Sequence, residues 1–289
     1  MKILMQTESL KMLKETVKSD SAGVRFGPEF CEWKIPSYDA VEEAYSLANE
    51  ARKEFTYVTP RVSDLKIKEI RCHLKLLDQK GEIRVVVNDM GILKVLREYP
   101  NLKPQLGRQM ISAPARCPWK DITQEGVNLL ARKKIAGIFY QTSLNHMETV
   151  QFFRSNNVLQ ADVDWIPRSF QHYHSIVKKG LDLSVHWNLV PVTITRRCHM
   201  ARFLGETTPD NCTKPCDSST LLLRNEELDV KLFLLGNVVF RLTELTQKDA
   251  KKLDKAKVKE LIVSMNPLTG IDNRKKIDAI TRKLVSWQL

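Results

Sequence analysis

The sequence predicts a single α/β domain of the (β/α)8, TIM-barrel-like class, with a β-rich insertion before the last strand. Two observations carry this prediction. Short apolar runs such as IRVVV, residues 83–87, alternate along the chain with amphipathic patterns of helical period. The chain also has no GxGxxG or GxxxxGK[ST] phosphate loop, which does not favour the competing open doubly wound sheet. The predicted barrel strands begin near residues 2, 22, 55, 83, 104, 160, 181 and 260.

The N-terminal half contains the first five predicted strands. MKILM is strand-like and is followed by an amphipathic stretch at 10–17, while AGVRFG, residues 22–27, precedes a helix that Pro36 begins and that runs to about residue 53. FTYVTP is the third strand, and the helix after it spans about 63–77 and is ended by Gly81. IRVVV is the clearest buried strand, MGILKVLREY is helical, and LKPQLGRQM is the fifth strand.

The C-terminal half is less regular. Helical patterns occupy 122–155, LQADVDWIP and LDLSVHW are strands on either side of the helix SFQHYHSIVKKG, and TLLLRNEELDVKLFLLGNVVFRLTEL has the pattern of an antiparallel meander. The helix DAKKLDKAKVKE, the strand LIVSMNP and the helix NRKKIDAITRKLVSW complete the pattern. We therefore expect one barrel-like domain over 1–289, which contains a cysteine loop and antiparallel insertion at 196–246.

The composition limits the classes to which the protein can belong. Hydrophobic residues make up 43% of the chain, enough for a large core. The longest apolar runs, such as LFLLGNVVF, are much shorter than the roughly 20 residues that span a bilayer. The N-terminus becomes polar too early for a signal peptide. We expect a cytoplasmic protein, in which clustered cysteines bind a metal or do redox work rather than form disulfides.

The net charge of +12 is compatible with binding to RNA, to an acidic partner or to an anionic small molecule. Acidic residues interrupt both basic clusters, DAKKLDKAKVKE and DNRKKIDAITRK. Such mixed clusters are typical of solvated helix faces. RNA binding therefore stays open without being required.

Three of the six cysteines, Cys198, Cys212 and Cys216, form the pattern C-x13-C-x3-C in a polar loop. Thiolates in such a loop can hold zinc or an iron–sulfur cluster. Structural zinc sites usually pair their ligands as CxxC, and the chain contains no CxxC. A cluster tolerates wider ligand spacing because its irons lie at separate corners. The pattern favours a cluster over zinc.

A four-ligand site requires one more donor, and Cys31, Cys72, Cys117 and His199 are candidates. Cys72 lies within a predicted amphipathic helix, where we expect a packed helix cysteine. Loops that follow barrel strands emerge on one face, where active sites lie. Cys31 follows the second strand and can meet the cysteine loop there. Cys117 also follows a strand, so the topology does not exclude it.

Three further residues are candidates for substrate binding. His186 lies at the end of the seventh strand and could point into the barrel mouth. Arg108 ends the fifth strand and Arg197 directly precedes Cys198. A guanidinium group can hold an anionic substrate through paired hydrogen bonds, or it can form an ordinary salt bridge. No catalytic residue is apparent from the sequence.

Three stretches resemble the collagenase-like peptidase family: SAGVRFGPEFC with its following helix, VPVTITRRCHMARFLG with CTKPC, and the terminal ELIVSMNP with IDAITRKLV. The resemblance is strongest to a non-peptidase branch that works in anaerobic ubiquinone biosynthesis and has similar cysteine spacing. This resemblance implies a [4Fe–4S] cluster with Cys31, Cys198, Cys212 and Cys216 as its ligands.

The resemblance also implies oxygen-independent hydroxylation of an aromatic quinone precursor, with a paired family member as a possible heterodimer partner. Hydroxylation of a tRNA or rRNA base is the alternative within the same family. A structural metal-binding interaction protein, with zinc as the metal, is the alternative from another class. The chain has no HExxH or GxSxG motif, so typical peptidase activity is not expected.

Overall fold

Eight parallel strands close into a barrel in the computed structural model, which describes residues 1–118, 128–206, 212–225 and 230–287. The strand order around the barrel runs through the first seven strands and closes where Lys2 pairs with Glu260. The predicted (β/α)8 class is confirmed. The barrel strands are β1 (Lys2–Thr7), β2 (Gly23–Phe26), β3 (Glu54–Val58), β4 (Ile83–Val87), β5 (Leu102–Leu106), β6 (Gln160–Asp164), β7 (Asp182–His186) and β12 (Glu260–Ser264).

The strands β8 (Leu189–Ile194), β9 (Leu221–Asn225), β10 (Val230–Leu235) and β11 (Val238–Leu242) form a separate sheet in the order β8-β11-β10-β9. Strands β9 to β11 are the predicted meander. β8 was not predicted as a strand, and it contains Pro191. Proline lacks a backbone N–H, and it is tolerated here because β8 is an edge strand with a register shift opposite it.

Helices surround the barrel. Their bounds are α1 (Leu10–Val17), α2 (Tyr38–Glu50), α3 (Ile67–Lys80), α4 (Met90–Val95), α5 (Leu129–Phe139), α6 (Met147–Ser155), α7 (Phe170–Lys178), α8 (His199–Phe203), α9 (Gln247–Lys255) and α10 (Arg274–Ser286). α3 begins four residues later than predicted and ends at Gly81, whose φ of +113° favours glycine. Within the described ranges, no helix has the length and apolar character to cross a membrane.

The second sheet packs over the carboxyl ends of the barrel strands. Leu189, Val238 and Phe240 form a buried cluster with Phe30, which follows β2, and Leu268, which follows β12. The Phe30 and Phe240 rings meet edge to face at 5.4 Å. This contact brings the loop after β2 against the sheet that follows β7, and it thereby positions the candidate site.

Candidate functional site

A cavity of about 590 Å³ lies at the carboxyl ends of the barrel strands. Its walls come from the loop after β2, the loop after β3, the β8–α8 connection and the turn between β10 and β11. All four cysteines of the implied ligand set line it: Cys31, Cys198, Cys212 and Cys216. The walls therefore unite residues from positions 30 to 237, at the face where barrel proteins place their active sites.

The other thiols lie elsewhere. Cys72 is exposed on α3, so the expectation of a packed helix cysteine was wrong: it is on the helix but faces solvent. Cys117 is half-buried after the turn Pro114–Arg116 and does not line the cavity. His199 is the first residue of α8 and does not line the cavity either.

A buried lysine joins two of the cysteine turns. Lys34 belongs to the turn that begins after Cys31, and its side chain is only 9% exposed. Its ammonium group lies 2.6 Å from Oδ1 of Asp217, the residue next to Cys216, and also pairs with Glu8. Burial alone would lower the pKa of Lys34, but the neighbouring carboxylates raise the pKa above its ordinary value. Lys34 is therefore charged and holds the two turns together.

An asparagine joins the other pair of segments. Nδ2 of Asn237, in the turn between β10 and β11, donates to the backbone oxygen of Phe30 at 2.9 Å and to that of Thr195 at 2.8 Å. Phe30 precedes Cys31, and Thr195 lies three residues before Cys198. Asn237 thus fixes the spacing between two segments that carry predicted ligands.

Backbone N–H groups point at three of the four sulfurs. The Ala201 N–H donates to Sγ of Cys198 at 3.4 Å, where Cys198 caps α8. Trp33 and Lys214 supply corresponding backbone hydrogen bonds to Cys31 and Cys212. Hydrogen bonds to sulfur stabilise thiolate ligands and tune the reduction potential of an iron–sulfur cluster.

Burial is the main influence on the thiols themselves. It raises the pKa of Cys31 to about 12 and that of Cys216 to about 11. Negative charge on one sulfur also raises the pKa of another, in the pairs Cys31–Cys216, Cys198–Cys212 and Cys198–Cys216. Through these three pairs, each of the four sulfurs is coupled electrostatically to at least one other. The raised pKa values keep Cys31, Cys212 and Cys216 protonated without a metal, and metal binding would release their protons.

The donor set fits a cluster in its chemistry. Four cysteine thiolates are the usual ligands of a [4Fe–4S] cluster. Within the described parts of the chain, no three histidine, cysteine or carboxylate side chains converge closely enough to hold an ion as they stand. The loops would therefore have to close around the metal group on loading.

The cavity walls are positively charged. The acidic wall residues already accept hydrogen bonds: Oε2 of Glu32 from the Ser63 backbone N–H at 2.6 Å, and Oε1 of Glu206 from the Thr213 N–H at 3.1 Å. Five exposed cationic residues also line the cavity, and none forms an ion pair with any residue that the structure describes. They are Arg61, Arg196, Arg197, Arg202 and Lys214. The predicted Arg197 thus lies where an anionic group could bind.

Arg108 occupies a different environment. It is fully buried below a smaller cavity of about 80 Å³, which Cys31 and Cys216 also line. Its guanidinium pairs with both oxygens of Glu29, at 2.8 and 2.7 Å, and with Oδ1 of Asp164 at 2.7 Å. Burial alone would raise the pKa of Glu29, but the charge and hydrogen bonds of Arg108 lower this pKa below its ordinary value. All three nitrogens of Arg108 are engaged within the protein.

His186 lies inside the barrel and lines neither cavity. It is fully buried, and its Nε2 is 3.2 Å from Oδ2 of Asp162, which also pairs with Arg25. Burial lowers the pKa of His186, so the ring is neutral at pH 7. The sequence reasoning missed Asp162 and Asp164. The signal was available, because the alternation in QADVD places both carboxylates on one face of β6.

No family model matches this sequence, and no curated protein matches it. Among solved structures, dihydropteroate synthase from Thermus thermophilus with 4-aminobenzoate is similar at 12% identity and a TM-score of 0.44, over 100% of this chain and 91% of that chain. The 3-dehydroquinate dehydratase from Geobacillus kaustophilus is similar at 11% identity and a TM-score of 0.40, over 64% and 72% of the two chains. Neither likeness carries a conclusion about the chemistry of the cavity.

The fold and the site together define the class of this protein. It is an eight-stranded β/α barrel whose carboxyl face carries a cavity lined by four thiols, five exposed cationic side chains and the buried Lys34.

Proposed function

We propose that this protein holds a [4Fe–4S] cluster on Cys31, Cys198, Cys212 and Cys216 and supports oxygen-independent hydroxylation of an aromatic, quinone-precursor substrate. The observation that supports the proposal is that these four cysteines, separated by up to 185 positions (216 − 31), line a single cavity. Their spacing also resembles that of the anaerobic ubiquinone-biosynthesis branch of the collagenase-like peptidase family.

A bound cluster with four cysteine ligands would supply electron transfer, while the chain supplies ligands, orientation and a sheltered pocket. Trp33 and Phe30 offer aromatic surface on the cavity wall, against which a planar ring can pack. Arg197 can hold an anionic group of the substrate through paired hydrogen bonds. The N–H groups of Trp33 and Ala201 stabilise negative charge on the sulfurs they contact.

The test of the cluster is anaerobic purification followed by visible absorption and counts of iron and sulfide. We expect a broad shoulder in the visible range and about four irons per chain. Cys31→Ala should abolish both, whereas Cys72→Ala, which removes an exposed thiol outside the cavity, should change neither. A colourless protein with one zinc per chain would contradict the proposal. Full cluster content in Cys31→Ala, with loss of the cluster in Cys117→Ala, would identify Cys117 rather than Cys31 as the fourth ligand.

With water as the oxygen source, hydroxylation of the ring releases two electrons and two protons, so the reaction needs an electron acceptor. The test of the activity therefore uses the loaded protein without oxygen, with and without its proposed paired family member, on a phenolic quinone precursor in the presence of ferricyanide. The expected product is heavier by one oxygen atom in mass spectrometry. Loaded protein that produces none under either condition would refute the hydroxylase role while leaving the cluster in place.

Hydroxylation of an RNA base is the second candidate, and the unpaired cations of the cavity favour it. A cavity of about 590 Å³ can accept one extruded base. RNA binding that weakens steeply with salt and depends on Arg61 and Arg196 would support this candidate. The third candidate is a protein whose metal only stabilises a binding surface. Such a protein would lose partner binding when the metal is removed, and it would give no hydroxylated product under any condition.

A further inference from the structure

Apolar side chains protrude beside the mouth of the cavity. Phe203 and Leu204 are 70% and 57% exposed, and they lie between Arg202 and Gly205, both of which line the cavity. Leu65 is 79% exposed and lies two residues after the wall residue Ser63. Side chains of this size and exposure, grouped at one opening, indicate a surface that another body covers.

The short helix α8 shows how this arrangement arises. Its inner residues, Met200 and Ala201, are buried, and Met200 packs with Cys216 and Leu234 beneath the cavity. The next two residues, Arg202 and Phe203, therefore point outward. The packing that positions the Cys198 loop is the same packing that pushes a cation and a phenyl ring into solvent.

Unpaired cations stand among these apolar side chains. Arg61, Arg196 and Arg202 are exposed, line the cavity and have no ion pair with any described residue. Charge complementarity therefore requires an anionic occupant. We define the rim surface as the six residues Arg61, Leu65, Arg196, Arg202, Phe203 and Leu204.

We propose that the rim surface docks on a bilayer that contains anionic phospholipids. Arginines are attracted to anionic headgroups, while leucine and phenylalanine side chains enter the acyl boundary. Protruding leucines favour a bilayer over RNA, since an aliphatic side chain offers no stacking face or hydrogen bond to a base. The leucines also favour a bilayer over an acidic partner that binds by charge alone. Their contribution to the binding free energy comes from contact with hydrocarbon, which such a partner does not offer.

Docking would place the opening of the cavity at the membrane surface. An apolar aromatic substrate could then reach the cavity without leaving the bilayer entirely. This consequence rests on the proposed function, but docking itself does not require the cluster. The two proposals can therefore fail separately.

The experiment is flotation of the anaerobically purified protein with vesicles of phosphatidylcholine alone or of phosphatidylcholine with phosphatidylglycerol, with iron counted in every sample. We expect binding to the anionic vesicles only. R196Q/R202Q should weaken it by about 25-fold, since each basic side chain near an anionic surface contributes roughly a factor of five. F203S/L204S should weaken it by about tenfold. All four side chains are exposed, so both variants should fold.

Matched controls remove the same chemistry from other surfaces. K251Q/K255Q deletes two exposed charges from α9, the helix that leads to the amino end of β12. F152S/L159S deletes two exposed apolar side chains, and Leu159 directly precedes β6 at the amino face of the barrel. Both controls should bind the anionic vesicles like the unaltered protein.

Three results would overturn the docking proposal. They are absence of flotation with anionic vesicles, equal binding by F203S/L204S and the unaltered protein, and loss of a protein or RNA partner in the rim variants without vesicle binding. Protein that floats but contains no iron would refute the cluster alone. Protein with full iron content that does not float would refute docking alone.

Discussion

The ammonium group of Lys34 lies 2.6 Å from the carboxylate of Asp217 and thereby ties the turn after Cys31 to the turn that holds Cys216. The two residues are far apart in sequence, and each is adjacent to a predicted cluster ligand or within its turn. Their contact converts two separate loops into one wall of the cavity.

Replacing Lys34 with methionine should reduce cluster content by at least about half and destabilise the fold by about 1–2 kcal/mol. The cost is below that of a fully buried pair, because Glu8 and Asp217 are partly exposed. Iron per chain and urea unfolding measure the two effects. Lys259→Met, which removes an exposed ion pair with Asp182, is the matched control. Unchanged iron content in Lys34→Met would show that cluster binding does not need the ion pairs of Lys34 with Asp217 and Glu8.

Replacing Arg108 with methionine should destabilise the protein by about 3–5 kcal/mol, because Glu29 is left buried without its counter-charge, whereas Asp164 keeps its ion pair with Arg116. Arg108→Lys should recover only part of this, since an ammonium group cannot pair with both oxygens of Glu29 in the same way. The measurement is the free energy of unfolding in denaturant.

Arg71→Met is the control for Arg108, because it breaks an exposed ion pair with Glu98 and should leave the free energy of unfolding nearly unchanged. If Arg108→Met instead kept the free energy of unfolding of the unaltered protein and raised KM, the result would support the substrate-binding role predicted for Arg108.

Stability should fall as the pH is lowered from about 6.5 to about 4. Burial lowers the pKa of His73 from 6.5 to about 4, and its Nδ1 lies 2.8 Å from Oη of Tyr57. The unfolded chain then binds a proton that the folded chain does not, so acidification favours unfolding. The expected loss from His73 is about 2–3 kcal/mol. The buried His186, whose pKa is also lowered, contributes with the same sign.

The measurement is chemical denaturation at several pH values across this window. His73→Gln should flatten the dependence, while His174→Gln, at an exposed position on α7, should leave it unchanged. An identical slope in His73→Gln and the unaltered protein would rule out His73 as the source.

Replacing Arg197 with glutamine should lower kcat/KM for an anionic aromatic substrate by about tenfold through KM, because a charge-assisted hydrogen bond is lost. Arg197 is exposed, so iron content and stability should not change. Arg224→Gln, an exposed arginine on β9 outside the cavity, controls for the loss of charge. A tenfold drop in kcat at constant KM would assign Arg197 a different role.

Much of the fold could be read from the sequence because its signals are local. Apolar runs such as IRVVV mark strands that are buried on both faces, and helix patterns between them mark the crossovers. The same reasoning did not find β8. Its Pro191 argues against a strand, and only the neighbouring β11 shows that β8 is an edge where proline is tolerated.

Part of the candidate site could likewise be predicted from the sequence, and part required the tertiary structure. The sequence by itself determined that Cys198, Cys212 and Cys216 share one loop, and the strand count placed Cys31 at the same end of the barrel. Only the tertiary structure decided that Cys31, and not Cys117, shares the cavity with that loop. The deciding contacts, Lys34 with Asp217 and Asn237 with Phe30, join residues about 180 or more positions apart. No local pattern encodes such contacts, because they form only when the barrel closes and the second sheet packs over it.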